Sequence, residues 1–104
     1  MNKELLKICK KLNLPQKEEN ITDRHWGKIS QYHYLSEDFM EKYQNKIDWW
    51  DIAKHQKLSI NFIRKYKSIL PWEFISIFQE LSMDFLEEFK NYLSKKRSNP
   101  PNDK

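Results

Sequence analysis

Apolar positions along this chain follow two alternating stripes. In the middle of the sequence Trp49, Ile52, Ala53 and Gln56 fall at i, i+3, i+4 and i+7, one face of a helix about two turns long. Asp48 precedes that face, where a carboxylate accepts the unpaired amide protons of a first turn. A second stripe, Phe62, Ile63, Tyr66 and Leu70, opens after Ser59, a favoured N-cap residue. Leu58 lies between the two stripes in a turn of two or three residues, so the helices are expected to be neighbours in space.

The same unit occurs three times. Trp26, Trp49 and Trp72 are 23 residues apart. The columns behind them are Ile29/Ile52/Ile75, Leu35/Leu58/Leu81, Ser36/Ser59/Ser82, Phe39/Phe62/Phe85, Tyr43/Tyr66/Phe89 and Ile47/Leu70/Leu93. Pro71 stands where the middle unit has Asp48 and is well tolerated at a helix start. Upstream, Leu6, Cys9 and Leu12 keep the register of Ile29, Tyr32 and Leu35, which makes the first helix a degenerate copy that caps the array. A repeat of this length is the mark of stacked units, none of which buries its apolar face alone.

The spacing predicts helices at 2–12, 23–33, 36–46, 48–56, 59–68, 71–79 and 82–97, an all-α solenoid of about seven short helices. The organisation expected is one domain over 1–97, with an N-terminal cap and linker at 1–19, repeats at 20–48, 49–71 and 72–97, and a disordered tail at 98–104. Composition agrees. A single Gly among 104 residues argues against strand-rich folds and against a glycine-rich phosphate cradle. Fifteen aromatic residues supply large buried areas to a thin core. The lone Cys9 suits a reducing compartment, and no stretch has the length of a secretory h-region or a membrane span, so a cytoplasmic protein that does not enter membranes is expected. The Asn20-Ile21-Thr22 triplet matches a glycosylation acceptor but lacks any secretory context.

The unit Trp49-x-x-Ile52-x-x-x-Gln56-x-Leu58-Ser59-x-x-Phe62-Ile63-x-x-Tyr66, with looser copies from Trp26 and Trp72, resembles the short tandem helical repeats of giant DNA viruses and of phage and prophage proteins. The resemblance covers residues 20–93. It implies a viral or mobile-element origin and an interaction role, and it brings no catalytic residue.

Catalytic chemistry is not visible. His25, His33 and His55 with one cysteine do not make a metal-ligand set at zinc spacings, so no metal or cofactor is expected. His33 shares the column of Gln56 and reads as a polar residue at a helix end. The adjacent pairs Glu18-Glu19 and Glu87-Glu88 point about 100° apart on a helix and do not flank one substrate. No Ser or Cys nucleophile motif is present, and the chain is not expected to be an enzyme.

Charge is segregated by unit. Residues 53–70 carry Lys54, Lys57, Arg64, Lys65 and Lys67 and no acid, whereas 71–89 carry Glu73, Glu80, Asp84, Glu87 and Glu88 and no base. The basic set with Tyr66 or Trp50 suits phosphates and stacked bases; alternatively, the opposed charges set the register between stacked units. Departures from the repeat mark a second feature. Trp50 replaces Gly27 and Glu73 of its column, Phe74 replaces Lys28 and Asp51, and Ile77 replaces Gln31 and Lys54. These outward positions on first helices are expected to form one apolar partner surface, unless the last helix or the tail covers it or it joins two copies. Ile60 and Met83, in the column of Glu37, are weaker candidates. The first expectation is therefore a non-catalytic protein-binding module that docks through Trp50, Phe74 and Ile77 with Lys54, Arg64 and Lys65 steering the encounter. An inhibitor of a host or bacterial defence protein, such as an anti-CRISPR protein, is one concrete version. The alternative is a nucleic-acid binder using Lys54, Lys57, Arg64, Lys65 and Lys67, and a self-associating structural protein is a third.

Overall fold

The computed structural model describes the backbone of residues 1–32 and 34–97, with side chains up to Leu93. His33 and the tail expected from Ser98 lie outside the described residues. Within them the chain is all-α, and no strand is present. The elements are α1 (Lys3–Leu12), a 3-10 turn (Glu18–Asn20), α2 (Asp23–Ser30), α3 (Glu37–Lys42), α4 (Trp49–His55), α5 (Ile60–Lys65), α6 (Trp72–Phe78), α7 (Met83–Glu88) and α8 (Lys90–Arg97). The first helices form a row in which α2 packs on α4, α4 on α6 and α6 on α8, with α1 against α2.

Local chemistry explains where these helices start. Ser36, Ser59 and Ser82 accept from the amides of Phe39, Phe62 and Phe85, three residues into each second helix. Asp48 accepts from the Trp50 and Asp51 amides at 3.0 and 3.3 Å. Thr22 and His25 form a reciprocal pair at the start of α2, with the Thr22 amide donating to His25 Nδ1 at 3.0 Å.

Four boundaries differ from the spacing-based expectation. The helix expected over 23–33 stops at Ser30, where the Gln31 and Tyr32 amides close tighter turns onto Lys28 and Ile29. The second helices stop at Lys42 and Lys65 because Tyr43 and Tyr66 leave helical geometry, at φ −107°, ψ 27° and φ −107°, ψ 19°. The Lys46 and Ile47 amides both return to the Tyr43 carbonyl, and the Trp49 indole N–H takes the Gln44 carbonyl at 3.0 Å. Trp72 repeats this on the Lys67 carbonyl at 2.9 Å. Trp49 and Trp72 thereby each satisfy a backbone oxygen that a longer helix would have used itself. The single last helix expected over 82–97 is two helices, making eight among the described residues rather than seven. The break is at Phe89, which shares the column of Tyr43 and Tyr66 and takes nearly their backbone, φ −103°, ψ 14°. The polar linker at 16–20 contains the 3-10 turn.

The core repeats with the columns. Ile29, Ile52 and Ile75 are fully buried. Trp26 lies 5.1 Å from Tyr43, Trp49 5.3 Å from Tyr66 and Trp72 5.1 Å from Phe89, ring centre to ring centre in tilted geometry. Tyr43 also donates to Glu18 Oε1 at 3.4 Å. Burial and that carboxylate push its phenol from 10.0 up to about 12. In the unfolded chain the phenol ionises near 10, so between pH 10 and 12 the unfolded state binds fewer protons than the folded one. Stability is expected to fall as pH rises through this window, by about 2 kcal/mol from Tyr43. Urea unfolding from pH 9 to 12 checks this: Tyr43→Phe is expected to lose less than wild type, and parallel losses would assign the effect elsewhere.

Candidate protein-docking face

The register of the row is set by side-chain latches. Buried Gln56, at the end of α4, accepts from the Leu35 amide at 3.0 Å and donates to the carbonyls of Ser30, at 3.4 Å, and Tyr32. One repeat later, Gln79 accepts from the Leu58 amide at 3.0 Å and donates to the Ala53 and Gln56 carbonyls at 2.9 and 2.7 Å. At the starts of the second helices, Glu37 of α3 accepts from the Ser59 amide and hydroxyl at 2.7 and 2.9 Å, and Glu4 of α1 does the same for Ser36 at 2.9 and 2.7 Å. A glutamine's amide offers both a donor and an acceptor, so one side chain closes the turn left by the preceding helix pair.

Held in this row, α4 and α6 present an apolar face outward. Trp50, 53% exposed, meets Phe74 edge-on with ring centres 4.8 Å apart. Phe74 is half-buried and meets Phe78 edge-on at 5.8 Å. Ile77 is 61% and Phe78 45% exposed. The structure thus brings Trp50 and Phe74 into contact and leaves Ile77 exposed on the same helix as Phe74, while α8 packs on α6. Phe78 was not picked out from sequence. Its signal is the spacing of four from Phe74, but its column also holds Tyr32, which masks it as a departure. Of the weaker candidates, Ile60 is half-buried against the core and Met83 is exposed.

The basic residues divide into two groups. Arg64 makes a two-point ion pair with Glu88, at 2.7 and 3.0 Å, donates to Asn61 at 3.0 Å and lies 5.6 Å from the Phe85 ring. The Glu88 carboxyl is held below the usual carboxylate range by its hydrogen bonds from Arg64. Lys65 pairs with Glu41 at 2.8 Å. Both pairs join residues 24 apart and so link one repeat to the next. Lys67 lies 5.9 Å from the Tyr92 ring. Lys54, by contrast, sits 6.0 Å from the Phe78 ring on the apolar face, and it and Lys57 have no ion-pair partner among the described residues.

Among the described residues no three His, Cys, Asp or Glu side chains converge as a metal site, and no helix is long and apolar enough to cross a membrane. Compared with known proteins, the chain matches no family model, no curated protein and no solved structure.

Proposed function

We propose that this chain is a non-catalytic protein-docking module: a small solenoid of three helix–turn–helix units behind a capping helix, which binds a protein partner through the outward face of α4 and α6. The observation that carries the reading is the edge-on Trp50–Phe74 contact, continued by Phe78, with Ile77 exposed on the same helix as Phe74. A contiguous aromatic patch of this kind is what partner interfaces use as anchors. The solenoid reading rests on the recurrence, 23 residues on, of the glutamine latch and the indole cap. The repeat resemblance favours a viral, phage or prophage origin, and an inhibitor of a host or bacterial defence protein, such as an anti-CRISPR protein, fits that origin and size.

The nucleic-acid reading ranks second, since two of its five cations, Arg64 and Lys65, are already engaged by Glu88 and Glu41. Such binding would fall steeply with added salt. Affinity capture from lysate of the source cell or its virus host separates the readings. Wild type is expected to retain a protein at moderate salt that the Trp50→Ala/Phe74→Ala/Ile77→Ala chain does not. Nucleic acid recovered equally by both chains and lost at moderate salt would move the function to the middle unit's cations.

A further inference from the structure

Beside the aromatic face lies a concavity of about 360 Å³, formed where the C-terminal ends of α4 and α6 meet the turns that follow them. Phe78 belongs to both the face and the concavity. Lys54, His55 and Lys57 line it, and Glu80 is its one acid among the described residues. The contrast with the rest of the middle unit is informative. The cations on α5 are consumed by Glu88 and Glu41 of the neighbouring repeats, whereas no carboxylate lies within ion-pair distance of Lys54, His55 or Lys57 among the described residues. Register between units is therefore already served by Arg64 and Lys65, and Lys54 and Lys57 remain available to a second molecule.

We infer that the partner's contacting segment is acidic: a peptide stretch in which one or more Asp or Glu carboxylates enter the Lys54/His55/Lys57 concavity while an adjoining aromatic or branched aliphatic side chain packs on Phe78, Phe74 and Trp50. This rests on the docking-face reading and adds the chemistry of the partner to it. Charge complementarity sets the sign of the occupant, and the apolar neighbours set its class. A nucleic-acid strand requires a track of cations following its phosphates. Here Lys54 and Lys57 line one hollow together with Leu58 and Phe78, and from Phe78 the apolar face continues through Phe74 to Trp50. Lysines at the edge of an apolar anchor site raise the encounter rate and select against basic competitors.

The test uses the whole chain, immobilised, against a displayed library of random dodecapeptides at moderate salt. Enriched sequences are expected to join Asp or Glu to an aromatic or branched aliphatic residue. An enriched peptide, resynthesised, is expected to bind Lys54→Ala/Lys57→Ala about tenfold more weakly than wild type and Lys54→Arg/Lys57→Arg about as well. Both lysines are exposed, so the helical circular-dichroism signal is expected to be unchanged in either variant. The inference is overturned by any of three results: no enrichment, enriched peptides without acids, or equal binding to the alanine variant. It is also overturned if a random single-stranded DNA oligonucleotide binds through these lysines and no peptide does. Two outcomes separate it from the reading beneath it. Acidic peptides that need Lys54 and Lys57 but ignore Trp50→Ala and Phe74→Ala would remove the aromatic face and keep the acidic segment. Peptides that need Trp50 and Phe74 but not the lysines would do the reverse.

Discussion

Gln56→Ala is expected to destabilise the fold by about 3 kcal/mol, more than any other single polar truncation in the chain. The side chain is buried and serves three backbone groups of the preceding unit, the Leu35 amide and the Ser30 and Tyr32 carbonyls. Removing it leaves these largely buried groups without that partner, and each buried orphan costs about 1–3 kcal/mol, less than additively. Against a typical total of roughly 5–15 kcal/mol this is a large fraction. Gln79 makes the equivalent bonds but is half-buried, so water replaces part of what alanine removes, and about half the cost is expected. Equilibrium urea unfolding of both variants checks this. Equal losses, or a Gln56→Ala midpoint at wild type, would contradict the latch.

Why that latch was hard to see in the sequence is instructive. The Trp, Leu-Ser and Phe columns stand out because each apolar position serves its own unit, and the caps at Asp48, Ser36, Ser59 and Ser82 act where the spacing put them. Gln56 and Gln79 instead serve the unit 21 to 26 residues upstream, and the first copy of their column is His33, so the column does not look uniform. The ion pairs were hidden for the same reason. Arg64 and Lys65 were legible as charges, whereas their partners, Glu88 and Glu41, are non-local. The break at Phe89 carries no Gly or Pro; it follows from the packing of Phe89 and Tyr92 around Trp72, which a local helical pattern does not contain. At the candidate face, departures from the columns singled out Trp50, Phe74 and Ile77, and only Phe78 went unmarked.

The second large effect is on binding. Trp50 is the exposed member of the four tryptophans, Trp26 and Trp72 being buried and Trp49 half-buried. A half-exposed indole held edge-on by Phe74 is positioned at little entropic cost to fill a partner pocket, the property that makes tryptophan a recurrent hot spot. Trp50→Ala is therefore expected to weaken partner binding by roughly 30-fold or more, at least about 2 kcal/mol. Lys65→Ala, which removes a side chain committed to Glu41, is expected to change affinity by less than about threefold.

The decisive measurement is a calorimetric titration of the captured partner into wild type, Trp50→Ala and Lys65→Ala at moderate salt, with circular dichroism verifying that all three keep their helical signal. Loss of affinity confined to Trp50→Ala is the result predicted for a docking face on α4 and α6. Wild-type affinity in Trp50→Ala, or a loss confined to Lys65→Ala, would contradict it.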